Sequence, residues 1–167
     1  MSAGPPPLVT ADPAAFAAAA PSGRLAGLDI GTKTIGIATS TADRAFVSPR
    51  ETLARRRPAA DLAALTARLA AEQVVGVVVG LPVHLDGREG DRARSVRAQA
   101  RNIAAASGLP VLLWDERWST AAVTRDMLDA DLSRAKRAAA VDRLAAAWIL
   151  EGACRRLTRL EAEGGQG

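Results

Sequence analysis

The sequence is poor in the residues that build cross-links and soft-metal sites. Of its 167 residues, one is cysteine and one is histidine. A lone Cys154 excludes an internal disulfide, and a lone His84 excludes a Cys/His zinc cluster. Lysine is almost missing too: only Lys33 and Lys136 occur, so arginine supplies nearly all of the 22 basic residues. Wholly apolar runs reach only about eight residues, against the ~20 needed to span a bilayer, so no membrane segment is expected. The first residues carry neither a basic stretch nor a long apolar one, which argues against a secretory signal. A cytoplasmic location is the expectation.

What is present fits one globular domain. The length matches a single domain and suffices to bury a core without staples. Hydrophobic residues make up 49% and charged residues 24%, which excludes global disorder. The net charge is +4, which permits a polyanionic partner without requiring one, since an Ala/Arg excess also follows from a GC-rich coding sequence. Residues 1–22 hold five prolines between alanine-rich pieces and read as a disordered N-terminal tail, within which 13–20 can form a turn or two of helix. Residues 23–160 form the domain, and residues 161–167 fade into glycine and read as a frayed end.

Within the domain, residues 25–30 and 34–39 flank Gly31-Thr32-Lys33 as a hairpin, and residues 44–52 suggest a weaker third strand. Pro58 opens a helix to about Glu72, with Leu62, Leu65 and Leu69 at helical spacing. The continuous run 74–79 predicts a strand covered on both faces. A helix bearing Arg92, Arg94, Arg97 and Arg101 follows over about 89–106, then a buried strand over 111–114. Ser119 or Thr120 can cap a helix to about Leu128, 131–137 reads as a polar loop, and 138–160 as the last helix. This order implies an α/β domain around a mixed sheet.

Three acidic positions stand out. Asp29 lies in an apolar strand, where a carboxylate needs compensation. Asp115 and Glu116 sit at the carboxyl end of the strand 111–114, where open α/β sheets place their ligand crevice. Asp142 lies at the edge of the apolar stripe of the last helix. Carboxylates on two strands and a helix can converge on Mg²⁺ or Mn²⁺, which prefer oxygen ligands. They can equally be caps, surface residues or ion-pair partners, and spacing does not separate Asp115 from Glu116.

The segments 28–38, 79–82, 115–120 and 141–146 together resemble the YqgF family of pre-16S rRNA nucleases, also described as Holliday-junction-resolvase-like. The resemblance covers roughly residues 24–160. It implies an RNase H-like fold with a five-stranded mixed sheet flanked by helices. It also implies a metal-dependent endonuclease that hydrolyses structured RNA at the 5′ end of the small-subunit rRNA precursor. Carried over by position, the catalytic and metal-binding triad is Asp29, Glu116 and Asp142, holding two Mg²⁺ or Mn²⁺ ions. Lys33, Arg117, Ser119, Thr120, Lys136 and Arg137 are the candidate nucleic-acid contacts. His84 stands where relatives often carry Asn. The other readings are a Holliday-junction DNA resolvase, which needs a dimer, and a non-catalytic nucleic-acid-binding factor in transcription or ribosome assembly. An RNA trimmer can act as a monomer. A nucleotide-phosphate site of the kinase and actin type, which the segment 29–33 also resembles, needs a second lobe for which the chain is too short.

Overall fold

The computed structural model describes residues 7–84, 86–118 and 134–164, with the side chains of Trp118 and residues 134–142 outside the description. Six strands form one mixed sheet: β1 (Val9–Thr10), β2 (Leu25–Ile30), β3 (Thr34–Ser40), β4 (Val47–Ala54), β5 (Gly76–Leu81) and β6 (Val111–Asp115). The helices are α1 (Pro13–Ala19), α2 (Pro58–Ala71), α3 (Asp91–Ser107) and α4 (Arg134–Gly164). The strand order is β1-β6-β5-β2-β3-β4. The expected hairpin is present, with β2 and β3 antiparallel and Asp29 opposite Gly36. Strand β5 lies parallel to both β2 and β6.

Local chemistry explains the helix ends. Pro58 occupies the start of α2, where its missing N–H costs nothing. Asp61 reaches back with both carboxylate oxygens to the Arg56 N–H, at 3.1 and 3.0 Å. Helix α3 stops at Gly108, whose φ of +73° suits glycine.

The alternation of β2 divides the core. Ala26, Leu28 and Ile30 pack with Leu65 and Leu69 of α2 and with Val96 and Ile103 of α3. Leu25 faces the other way, toward Phe16 of α1 and Ile149, Leu150 and Leu157 of α4. By the same period of two, Gly27 and Asp29 face α4. Gly27 makes that packing close: a Cβ there would sit 2.6 Å from Leu150 Cβ and 2.7 Å from the Ala146 carbonyl oxygen. Cys154 is a buried filler on this face, its thiol pushed up to about 11 by burial.

Three expectations are corrected. The sheet has six strands, not five, because β1 pairs parallel with β6 through Val9–Val111 and Thr10–Leu112. The presumed tail is therefore ordered over residues 9–19. Asp12 caps α1 by accepting from the Ala14 N–H at 3.0 Å, and Phe16 is fully buried against the second core face. The last helix begins at Arg134 rather than 138 and runs to Gly164, so it takes in part of the expected loop and part of the expected frayed end. The helix expected from Ser119 or Thr120 lies outside the described residues.

Phe16→Ala tests the ordered N-terminus. Emptying a fully buried aromatic site is expected to cost about 3–5 kcal/mol of unfolding free energy, read by urea denaturation. A dispensable tail predicts no change.

Candidate active site

The carboxyl ends of β2 and β6 and the β2–β3 turn enclose a cavity of about 350 Å³. Its lining includes Asp29, Lys33, Arg92 and Glu116. Asp29 is only 6% exposed, on a strand otherwise buried along its length. The turn beside it is tight, with the Gly31 N–H donating to the Thr34 carbonyl at 2.8 Å. Lys33 projects from this turn and is exposed at the cavity rim.

Glu116 opens the short 3-10 turn Glu116–Trp118 after β6. Its side chain folds back over β5, with Oε1 lying 3.0 Å from where a Cβ on Gly80 would be. Gly80 pairs with Trp114 of β6 and follows Val79, the partner of Leu28. It is thus level with Asp29 on the neighbouring strand. Any side chain at 80 would also meet Ile149 Cδ1 at 2.5 Å. Glycine there is what lets the Glu116 carboxylate fold over β5 into the cavity that Asp29 lines.

Asp115 does something else. Its Oδ1 accepts from the Arg117 backbone N–H at 2.9 Å, and its two oxygens accept from Arg117 Nε at 3.1 and 3.0 Å. Arg117 Nη2 adds a bond at 2.6 Å. Burial pushes the Asp115 carboxyl up, but the bonds and charge of Arg117 outweigh it and hold the group below the usual carboxylate range. Asp115 is therefore bound to its own turn, and Glu116 is the acid that lines the cavity.

The donor set suits a hard cation. Two carboxylates line the cavity, and the lone histidine is elsewhere, in a depression of about 650 Å³ with Asp86, Arg88 and Glu89. His84 is thus not part of this site. Among the described residues, no three His, Cys, Asp or Glu side chains come together as a metal site. Asp142, the third expected acid, lies within α4 one turn before Ala146, and its side chain is outside the described residues. The side chains of Lys136 and Arg137, in the first turn of α4, are outside them as well, and so are Ser119 and Thr120.

The basic helix does not present one uniform face. Arg94 pairs with Asp91, and Arg97 binds Glu89, its Nε at 2.8 Å from a carboxylate oxygen. Arg92 instead donates to the Ile30 carbonyl at 3.2 Å and lines the cavity. Arg55, at the β4–α2 junction, donates to the Gly31 carbonyl at 2.5 Å. Neither arginine is distinguishable as a site residue by sequence spacing, because folding brings each to the turn from a distant segment.

Residues 23–156 match the family described as "RuvX: Holliday junction resolvase". The chain is 60% identical over 145 residues to a protein of Sphingopyxis alaskensis, covering 86% of this chain and 95% of the relative. It is 53% identical over 146 residues to a protein of Rhodobacter capsulatus, covering 87% and 92%. Both relatives carry the name "Putative pre-16S rRNA nuclease". In fold the chain is similar to Thermus thermophilus RuvC, solved in complex with a Holliday junction substrate. The TM-score is 0.50 at 16% identity, over 80% of this chain and 95% of that one. The fold is of the RNase H-like class expected from the sequence. No described helix is long and apolar enough to cross a membrane.

Arg117→Gln tests the division of labour between the two adjacent acids. Asp115's folded pKa lies below its reference of 3.8, so its pairing stabilises the fold above that value and the stability is lost as pH falls through the folded pKa. The variant is expected to be less stable than wild type near neutrality, with the gap closing as pH falls below 3.8 in acid-unfolding curves. A gap independent of pH contradicts the assignment.

Proposed function

Because the chain belongs to the RuvX family, we propose that it is a metal-dependent endonuclease hydrolysing phosphodiester bonds in structured RNA, with the 5′ end of pre-16S rRNA in the cytoplasm as its substrate. The observation that carries this reading is the shared cavity of Asp29 and Glu116, with Lys33 on its rim. The names of the relatives supply the RNA, and the composition of the cavity supplies the chemistry.

Asp29, Glu116 and Asp142 would hold Mg²⁺ or Mn²⁺, in a two-ion arrangement. The bound ions supply an activated water and a counter-charge for the leaving oxygen. Asp29, fixed on a buried strand, provides a carboxylate whose position costs little to organise at the moment of reaction. Glu116 approaches from the next strand but one, over Gly80. Lys33 meets a substrate phosphate as a point charge on a flexible stem. Arg117 holds Asp115 and keeps the 3-10 turn in place beneath Glu116, and it remains a candidate contact to nucleic acid. Ser119, Thr120, Lys136 and Arg137 remain the further candidate contacts to the backbone. Such contacts position a strand without reading its sequence.

The second reading, cleavage of a four-way DNA junction, is favoured by the family's description and by the RuvC fold. It requires a homodimer presenting two sites, whereas RNA trimming is compatible with a monomer. One experiment separates the two. A labelled precursor 5′-leader RNA and a four-way DNA junction are incubated with wild type, Asp29→Asn or Asp142→Asn, in Mg²⁺, Mn²⁺ or EDTA. The expected result is RNA cleavage that needs metal and falls by at least about 10²-fold in each variant. Junction cleavage alone moves the substrate to DNA. No cleavage of either, with RNA binding unchanged in the variants, contradicts the enzymatic reading.

A further inference from the structure

The carboxylate cavity continues into two smaller depressions. A groove of about 50 Å³ shares Gly31, Thr32 and Arg92 with it. A cleft of about 80 Å³ between α2 and α3 shares Arg55 and Gln99 with that groove. The three form one track running from Asp29 and Glu116, over the β2–β3 turn, to the α2–α3 cleft.

The chemistry changes along the track. Lys33 and Arg92 flank the first part, and Arg92 and Arg55 the second. Each arginine commits one donor to a backbone carbonyl of the turn, Arg92 to Ile30 and Arg55 to Gly31. That bond fixes the guanidinium in place, and the fork has four other N–H groups. The cleft at the far end has an apolar floor that includes Ile35, Leu62 and Ile103. Besides Arg55, its polar groups are the amides of Gln99 and Asn102 and the carboxylate of Asp61. A carboxylate repels phosphate but accepts from the amino group of a base.

We propose that this track holds a single-stranded stretch of the substrate where it leaves the carboxylate site. Its phosphates lie on Arg92 and Arg55, and one base enters the α2–α3 cleft. This rests on the nuclease reading for the identity of the ligand. Cationic grooves that follow the backbone are how proteins hold single strands, and the arginines line such a groove beside the β2–β3 turn. An unpaired base can present its edge to amide and carboxylate groups in a way a stacked one cannot. The partner is thus a strand with an unpaired tail next to the scissile bond, not a blunt helix.

The test measures binding in EDTA, where no cleavage intervenes. The probes are a labelled RNA hairpin with a single-stranded tail and its blunt counterpart, titrated with protein by fluorescence anisotropy over a range of salt. Arg92→Ala and Arg55→Ala are each expected to weaken the tailed probe by about tenfold. Each should lower the slope of log K against log salt by about 0.7, the value for one phosphate contact on a single strand. The blunt probe should bind the variants and wild type alike. Arg101→Ala, exposed on α3 away from the track, should leave both probes unchanged. Arg55→Lys retains the charge and should restore most of the slope.

A lowered melting temperature with an unchanged salt slope means the arginines only hold the turn, and overturns the proposal. Equal losses on both probes overturn it as well, since they indicate general electrostatics. If wild type cleaves the tailed RNA and the variants bind it normally, the track fails and the nuclease reading stands. If the slopes change as expected but wild type cleaves nothing, the nuclease reading fails and the track stands.

Discussion

At two points helix α4 approaches the sheet so closely that no side chain fits beneath it. At Gly27 even a methyl group would press into Leu150 and the backbone of Ala146, and at Gly80 into Ile149. Protein interiors do not absorb overlaps of this size without shifting whole elements. These two glycines therefore set how deeply α4 sits over β2 and β5. The same close approach leaves a gap over Gly80 that the Glu116 carboxylate enters. Packing and site thus share one constraint at Gly80.

The second determinant is charge. A carboxylate buried on a central strand is costly unless a cation or a set of donors compensates it. The surroundings of Asp29 are arranged accordingly: a polar cavity opens at the strand end, with Lys33, Arg92 and a second carboxylate around it. Two acids of like charge facing one cavity repel each other, and a hard divalent cation turns that repulsion into coordination. Asp115 is excluded from the arrangement by Arg117, which draws it into a local ion pair through its backbone N–H, Nε and Nη2. The neighbouring arginines of α3 are likewise consumed by Asp91 and Glu89, so Arg92 is the one on that helix that borders the cavity.

Much of this was legible in the sequence. Strands β2, β3, β5 and β6 are runs of apolar residues between turn formers, and an aspartate inside one of them is anomalous enough to mark a site. What escaped is what tertiary contact alone decides. β1 has two residues and no period, and it exists because β6 offers it an edge. Helix α1 was legible only as a turn or two of helix over 13–20; its anchoring by one buried phenylalanine among alanines leaves no visible stripe. Asp115 and Glu116 are adjacent and chemically alike, and only the position of Arg117 separates them. Arg55 and Arg92 come from different elements and meet at one turn only after folding. The role of Gly80 is equally invisible, because it consists of the space the residue leaves for a side chain that follows the adjacent strand.

The central claim is that Asp29 and Glu116, and not Asp115, form a divalent-cation site. The most direct measurement is Mn²⁺ binding by electron paramagnetic resonance to wild type, Asp29→Asn, Glu116→Gln and Asp115→Asn, each checked for folding by circular dichroism. The account predicts that wild type and Asp115→Asn bind Mn²⁺ with similar affinity, while Asp29→Asn and Glu116→Gln lose about tenfold or more. Equal binding by wild type and a folded Asp29→Asn would contradict it.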